Sequence, residues 1–282
     1  MKRWRYTPAN DLDQSMVERL RNFPREPDML VYGLRSLVAL IIRAALRIYH
    51  RLEIVGAEKL RREGSFVLVA NHASHLDTVC LLAALPFRRL HRAFPAAAAD
   101  YFFQSVPRTW IASIVVNALP FARSAHARQS LHICTELLAN RGNVLIIFPE
   151  GTRTKTGAIQ EFKPGIGALV AGRDVDVFPC HLEGAFVAWP KGRSLPRPRK
   201  VRLIIGAPRN YADRSGEKAD ISAIASELRT AVIELGQTQD ASGATIEPEL
   251  ALPELPLPHP GGMKDISRES IPQSGRPLPV RM

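Results

Sequence analysis

The sequence predicts an α/β fold in which a central, mixed and largely parallel sheet is flanked by helices. Short apolar runs rich in Val, Ile and Phe alternate with segments of helical period, a pattern typical of a sheet covered by helices. The run 144–148 is apolar without interruption, which indicates a strand buried on both faces. Two such runs are followed directly by polar motifs, and these motifs are the candidates for function.

The other elements are predicted from the same periodicities. Shorter apolar runs indicate strands at residues 52–55, 66–70, 91–94, 175–181 and 201–205. Helices are predicted at 96–103, at 127–141 and from Ile221 to Leu235. Gly142 provides a stop for the second helix. Pro179 lies inside a predicted strand, and a proline there implies an edge position or a bend.

An amphipathic helix is predicted near the N-terminus, over residues 29–49. Projected at about 100° per residue, one arc of about 120° holds Arg35, Arg43, Arg47 and His50. Aliphatic side chains fill the opposite side, which describes a helix lying in a membrane interface. The alternative is a helix packed on the core with a solvated arginine face. The longest uncharged run, 36–42, is too short to cross a bilayer, which needs about 20 apolar residues.

The chain is expected to divide into three parts. Residues 1–50 form the N-terminal helical segment for a membrane interface, and residues 51–238 form the α/β domain. The remainder, 239–282, has eight prolines between Pro248 and Pro279 and shows no hydrophobic period. Such a segment buries too little apolar surface to order itself, so we predict a disordered C-terminal tail.

Composition narrows the classes of partner. The chain has 38 Lys and Arg against 27 Asp and Glu, and its formal net charge of +11 favours polyanions. Nucleic acid is not expected as a partner, because no recognisable binding module or aromatic and basic stripe is present. Anionic lipid headgroups and phosphorylated substrates remain. Cys80, Cys134 and Cys180 are scattered without CxxC spacing, which indicates reduced core thiols and no zinc site.

The first polar motif, residues 71–77, follows the predicted strand 66–70. His72 lies where the strand ends, and Asp77 follows after four intervening residues, close enough to fold back onto the imidazole. A histidine oriented by an acid is the arrangement of a general base. The alternative is that Asp77 only caps the following helix and His72 is a polar turn residue.

The second polar motif, residues 148–157, follows the buried strand. Pro149 ends the strand, Gly151 permits a tight loop, and hydroxyls and cations are concentrated after it. Arg153 has a planar fork suited to bidentate contact with a phosphate. The spacing is not that of a Walker loop. The alternative is a solvated basic turn.

These motifs resemble those of the glycerophospholipid (lysophospholipid) acyltransferase family in order and rough spacing, over residues 50–210. Residues 71–77 look like its catalytic block, and 148–154 resemble its third block. Residues 119–123 are similar to its second block, and 177–179 to its fourth. The second block departs from the family pattern, because Asn117 and Pro120 replace its usual glycine and isoleucine.

The resemblance implies an O-acyltransferase with a glycerol-3-phosphate acyltransferase-like fold. The fatty acyl group would move from an acyl thioester, acyl-CoA or acyl-carrier protein, to the free hydroxyl of a lysophospholipid. We expect the acceptor to be 1-acyl-sn-glycerol-3-phosphate, with phosphatidic acid as the product. The resemblance implies no resident cofactor and no metal. An enzyme acting on such a lipid is expected at a membrane phospholipid surface, as a peripheral or monotopic protein on its cytoplasmic face.

The resemblance also assigns the residues of the predicted site. His72 would be the general base, and Asp77 would orient it. The predicted substrate-binding residues are Arg123 and Arg153 for the phosphate, Glu150 and Gly151 for the glycerol pocket, and Thr152 beside them. His75 receives no catalytic role and is predicted to face solvent or the sheet edge.

Two other functions compete with this hypothesis. A serine hydrolase or lipase would also use His and Asp on an α/β fold, but its nucleophile elbow G-x-S-x-G does not occur in the chain. The second alternative keeps the chemistry and changes the acceptor to lyso-ornithine lipid or another lysolipid. The sequence leaves that choice open, together with the acyl chain length, the donor and the oligomeric state.

Overall fold

A computed structural model describes residues 29–98, 117, 119–121 and 127–240 of the 282-residue chain. The strands are β1 (Glu53–Val55), β2 (Phe66–Ala70), β3 (Ala93–Ala98), β4 (Leu119–Phe121), β5 (Val144–Ile147), β6 (Asp176–Glu183) and β7 (Arg202–Ile205). The helices are α1 (Met29–Ile48), α2 (Asp77–Ala84), α3 (Ala127–Ala139), α4 (Gly165–Val170), α5 (Ala185–Ala188) and α6 (Lys218–Asp240). Two 3₁₀ segments span Ala57–Leu60 and Phe87–Arg92.

The described strands form one sheet in the order β1-β7-β6-β2-β5-β3-β4. Five of its six strand pairings are parallel, and β6 with β7 is the antiparallel one. The prediction of a mixed, largely parallel sheet flanked by helices is therefore confirmed. β2 lies between β5 and β6, so the residues that follow it are carried by the most central part of the sheet.

The core is divided by the sheet into two apolar layers. Alternate side chains of β2 point to opposite faces, as the pleat requires. Phe66 and Leu68 pack in the layer that contains α2, whereas Val67 and Val69 pack in the layer with α4 and α6. Every residue of β2 is buried. Full burial on both faces explains why the strands that carry the polar motifs are apolar without interruption.

The alanine-rich segment was predicted to be helical from residue 96, and this prediction is wrong for its described part. Ala93–Ala98 is strand β3, paired in parallel with β5 at Ala93↔Val144 and with β4 at Ala96↔Leu119. Helix propensity is a weak local preference, and strand partners on both sides supply the backbone hydrogen bonds that override it. Residues 99–103 lie outside the described part of the chain.

Pro179 does not mark an edge, because β6 lies between β2 and β7. Its position opposite Val69 keeps the parallel pairing with β2. On the other side its carbonyl accepts from Gly206 N–H at 2.8 Å, just past the last residue of β7, Ile205. The missing proline N–H therefore faces the point where the antiparallel ladder ends, and little hydrogen bonding is lost.

Helix α1 packs on the domain through the side that holds Arg35 and Arg43, whereas Arg47 near its end is exposed. The alternative of a solvated arginine face is therefore wrong for most of that side. Arg35 is 4% exposed, and burial lowers its pKa to about 10, which leaves it protonated at neutral pH. Arg43 donates to Leu82 O at 3.3 Å and lies 3.9 Å from the Phe87 ring. An arginine side chain can be buried when backbone carbonyls accept its hydrogen bonds and an aromatic ring lies against its guanidinium group.

The aliphatic side of α1 is exposed. The exposed fractions are 56% for Leu37, 60% for Ile41 and 78% for Ile48. Within the described residues, no helix combines the length and apolarity needed to cross a bilayer. Residues 1–28 and the predicted tail from 241 onward lie outside the described ranges, and α6 continues to Asp240.

Candidate active site

The two residues of the predicted acid–base pair meet at the end of β2. His72 Nδ1 lies 2.8 Å from Asp77 Oδ2, and the side-chain exposures are 21% and 0%. A neutral imidazole bonded to a carboxylate through Nδ1 carries its proton there, which leaves the lone pair on Nε2. The half-buried ring is therefore arranged to accept a proton from an incoming group.

Asp77 does more than begin a helix. Its Oδ2 atom also accepts from the backbone N–H groups of Ala73 at 2.7 Å and Ser74 at 2.8 Å. The residue before α2 is Leu76, and no side chain caps the helix. The interpretation of Asp77 as only a helix cap is therefore wrong. The loop wraps around the carboxylate, and its backbone donors hold the acid in place beside the imidazole.

The second motif holds the histidine from the opposite side. The His72 ring stacks on Phe148, with centroids 4.1 Å apart and an interplanar angle of 18°. The His72 N–H donates to Glu150 Oε1 at 2.6 Å, and the His72 carbonyl accepts from Thr154 N–H at 2.9 Å. Ring and backbone of the proposed base are thus both positioned by the loop that follows β5.

Glu150 is a buried brace between the two loops. It is 3% exposed, and its second oxygen accepts from Gln160 N–H at 3.1 Å. Burial raises its pKa, and the hydrogen bond from the His72 backbone opposes that rise. Next to it, Gly151 has φ of 73°, and a Cβ there would lie 2.7 Å from Lys163 Nζ. Substrate contact by Glu150, Gly151 and Thr152 stays a prediction.

Arg153 is held by His75, to which the sequence assigned no role. An Arg153 guanidinium nitrogen, Nη1, contacts His75 Nε2, and the imidazole lies 5.0 Å from the Trp189 ring. Burial, and then the charge of Arg153, lower the pKa of His75 to about 4. The ring is therefore neutral at physiological pH and accepts the guanidinium hydrogen bond. His75 lies on the turn after β2, as expected, and its half-buried ring contacts Arg153 and Trp189.

Two further polar residues fasten the motif to β6 and to the loop after α5. The side-chain amide of Asn71 donates to Leu182 O at 3.0 Å, and its oxygen accepts from Leu182 N–H at 2.8 Å. Ser74 Oγ donates to Trp189 O at 2.8 Å. Both residues are buried, and buried polar groups need partners. In the sequence, the only indication of this role is that both residues follow closely after the apolar strand β2.

Arg123 lies outside the described residues, so its predicted phosphate contact is untested. The adjoining departure from the family pattern has a physical reason. Asn117 has φ of 53°, a left-handed value that asparagine tolerates better than most non-glycine residues. Its amide also donates to Ala93 O at 3.1 Å. Asparagine is therefore compatible with this left-handed position, a backbone conformation that otherwise favours glycine.

Given the predicted role of Arg153 as a phosphate contact, replacing His75 by leucine is expected to raise the KM for the predicted phosphate-bearing acceptor by about three- to tenfold, the cost of one lost hydrogen bond that positions Arg153. The KM for the acyl donor should stay unchanged. His75→Gln supplies an amide oxygen and should restore the acceptor KM. Steady-state kinetics with each substrate varied in turn distinguishes this from a purely structural defect, which would lower kcat and the Tm in both variants.

Comparison with known proteins places this architecture among acyltransferases. Residues 51–183 match the family model described as Acyltransferase. The chain is 31% identical over 197 residues to the chloroplastic 1-acyl-sn-glycerol-3-phosphate acyltransferase of Arabidopsis thaliana, covering 68% of this chain and 51% of that protein. It is 26% identical over 169 residues to the 1-acyl-sn-glycerol-3-phosphate acyltransferase of Limnanthes alba, covering 60% of this chain and 58% of that protein.

A solved structure shares the fold. The 1-acyl-sn-glycerophosphate acyltransferase of Thermotoga maritima superposes with a TM-score of 0.56 at 23% identity, covering 78% of this chain and 87% of that chain. The present chain spans about half the length of the curated relatives it matches. The resemblance inferred from the motifs is confirmed over the residues that carry it, since residues 51–183 of this chain match the acyltransferase family model.

Proposed function

We propose that this protein is an O-acyltransferase that moves a fatty acyl group from an acyl thioester to the free hydroxyl of 1-acyl-sn-glycerol-3-phosphate, giving phosphatidic acid. The observation that carries the proposal is the His72–Asp77 pair, 2.8 Å apart and braced by both motif loops. The names of the curated relatives support the choice of acceptor.

In this mechanism the acceptor hydroxyl is the nucleophile. His72 Nε2 takes the hydroxyl proton as the oxygen attacks the thioester carbonyl, and the Asp77 carboxylate stabilises the imidazolium that forms. When the tetrahedral intermediate collapses, the C–S bond breaks and the same proton goes to the departing sulfur. The new ester and a free thiol are the products, so the proton and electron count balances without an acyl-enzyme.

The cysteines of the chain are unsuited to an acyl-enzyme route. Cys80, Cys134 and Cys180 are all 0% exposed. Burial raises the pKa of each thiol, that of Cys134 to about 12. Since the thiolate is the reactive form, these groups have no nucleophilic character at neutral pH. This supports direct attack by the acceptor hydroxyl.

Arg153 is the proposed contact for the acceptor phosphate, with Arg123 as a second contact. Arg153 belongs to the loop that also positions His72, because Thr154 bonds the His72 carbonyl. A guanidinium and a phosphate pair bidentately, which places the lipid by its charged end. The free hydroxyl of the glycerol is then presented to the base. Acyl-CoA and acyl-carrier protein present the same thioester, and either serves as donor in this scheme.

A substitution at Arg153 and a panel of acceptor lipids together test the choice of acceptor. Arg153→Ala is expected to raise the KM for lysophosphatidic acid by about 10- to 100-fold, the value of one charge-assisted hydrogen bond, with no change in the donor KM. Lys155→Ala, an exposed cation in the same loop, is the matched control. If the unmodified enzyme prefers lyso-ornithine lipid, which lacks a phosphate, the alternative acceptor replaces the proposed one.

The exposed aliphatic side of α1 supports association with a membrane phospholipid surface. Leu37, Ile41 and Ile48 are each more than half exposed, and burial in the acyl boundary of a bilayer would remove this apolar area from water. We place the protein on the cytoplasmic face as a peripheral or monotopic enzyme. There the lysophospholipid acceptor is taken directly from the membrane.

A further inference from the structure

A strongly basic surface segment lies outside the active-site loops, between α5 and β7. Between residues 184 and 212 the chain has no Asp or Glu. The part we name the basic segment, residues 191–200, carries five cations: Lys191, Arg193, Arg197, Arg199 and Lys200. All five are exposed. The acyl-transfer mechanism uses none of them, so the charge of this segment needs its own explanation.

Most of this charge is not neutralised within the described part of the chain. Lys200 pairs with Glu53 at 2.9 Å. Among residues 29–98, 117, 119–121 and 127–240, no carboxylate forms an ion pair with Lys191, Arg193, Arg197 or Arg199. Like charges crowded without partners repel one another, and an anionic partner relieves that repulsion. The surface is therefore suited to an anionic ligand.

The basic segment has a defined backbone despite its exposure. Trp189 Nε1 donates to Arg193 O at 2.8 Å, and Arg197 N–H donates to Ala188 O at 2.8 Å. In the middle of the segment, Tyr49 OH donates to Pro196 O at 3.1 Å. These bonds connect the segment to the active-site loop through Trp189 and to the end of α1 through Tyr49. Its cations are consequently displayed in a fixed place between the two.

Exposed aliphatic side chains accompany the cations. Leu195 is 75% exposed at the centre of the basic segment, and Val187 just before it is 52% exposed. Ile48, next to Tyr49, is 78% exposed. Cations mixed with outward aliphatic groups are typical of surfaces that contact anionic headgroups and insert apolar side chains below them. A highly charged soluble partner would give no reason for the exposed leucine.

We propose that the basic segment binds anionic phospholipid headgroups. Together with the exposed side of α1 it forms one membrane-contacting surface, and this surface orients the active-site opening toward the lipid. The proposal rests on the proposed function in one respect, since a membrane-resident acceptor is what makes this orientation useful. α1 contributes apolar insertion, which is indifferent to headgroup charge. The basic segment contributes selectivity for anionic lipid.

Vesicle sedimentation with the full chain tests this division. The variant is K191Q/R193Q/R197Q/R199Q, and the vesicles are phosphatidylcholine alone or phosphatidylcholine with phosphatidylglycerol. Each cation lost near the surface weakens binding about fivefold, so we expect the variant to bind anionic vesicles at least about tenfold more weakly. Binding to neutral vesicles should not change. A higher salt concentration should weaken the binding of the unmodified protein to anionic vesicles toward that of the variant.

The matched variant is L37N/I41N/I48N on α1, which is expected to lose binding to both kinds of vesicle. An unchanged affinity of the glutamine variant for anionic vesicles would overturn the proposal. Assays of the glutamine variant without vesicles, with a soluble short-chain acceptor, test whether the basic segment binds a different anionic ligand. A raised KM for acyl-carrier protein alone would assign the segment to that acidic protein, and a raised KM for acyl-CoA would assign it to the nucleotide phosphates. Either result overturns lipid binding.

The same experiments separate this proposal from the proposed function. If the unmodified protein transfers no acyl group to any lysolipid, the proposed function fails. The sedimentation result would still stand, because it measures binding without turnover. If turnover is normal and selectivity for anionic vesicles is absent, only the basic-segment proposal fails. Circular dichroism and Tm of both variants verify that each is folded.

Discussion

Replacement of His72 by alanine is expected to lower acyl transfer by about 10²–10⁴-fold, the contribution of a positioned general base. The fold should persist, because Asp77 keeps the backbone donors of Ala73 and Ser74 after the imidazole is removed. The measurement is the rate of product formation from a labelled acyl donor, together with the Tm. A Tm close to that of the unmodified protein would show that the loss of rate is chemical.

The chain offers a matched control for this variant. His132 lies on α3, and its side chain is 72% exposed beside Glu136. Surface substitutions of this kind change stability by at most about 0.5 kcal/mol, so His132→Ala should keep full activity. If His72→Ala retained more than about a tenth of the activity, the assignment of His72 as general base would be wrong.

Replacement of Asp77 by alanine is expected to reduce the rate by up to about 10⁴-fold and also to destabilise the fold. The imidazole loses the partner that fixes its tautomer, as in acid-oriented bases of serine hydrolases. The backbone N–H groups of Ala73 and Ser74 lose their acceptor inside the protein, at about 1–3 kcal/mol each. Rate measurements and chemical denaturation together follow both effects.

Asp77→Asn separates charge from geometry. All three donors use Oδ2, whereas the buried Oδ1 has no hydrogen-bond partner among the described residues. An amide oxygen in the place of Oδ2 keeps the three bonds but removes the negative charge that stabilises the imidazolium. We expect Asp77→Asn to be more stable than Asp77→Ala and still strongly impaired in rate. Equal activity in Asp77→Asn and the unmodified protein would contradict a role for the charge.

The two variants are also expected to be non-additive. Once His72 is replaced by alanine, the Asp77 carboxylate has no base to orient. The double variant His72→Ala with Asp77→Ala should therefore be no slower than His72→Ala alone. Its Tm, in contrast, should be lowered as much as that of Asp77→Ala, because the unpaired backbone donors remain. Additive losses of rate would indicate that the two residues act independently.

Most of the sheet was predictable because its strands are short, apolar and buried on both faces. β2 and β5 follow directly from such runs, and the two apolar layers bury all five residues of β2. The failures have a common cause. Ala93–Ala98 is a strand because neighbours pair with it, and Pro179 is interior because β7 ends beside it. Both depend on contacts between segments that are distant in the chain.

The contact between His72 and Asp77 was predictable from the sequence alone, since the two residues are five positions apart and a single turn brings them together. Only the tertiary structure decided that His75 supports Arg153, because 78 residues separate these partners. It also decided which side of α1 is buried. Periodicity defines an arginine side and an aliphatic side of the helix. Either side can pack on a protein, provided that backbone carbonyls and aromatic rings contact the buried guanidinium groups. In α1 a backbone carbonyl accepts a hydrogen bond from Arg43, and the aliphatic side is left exposed.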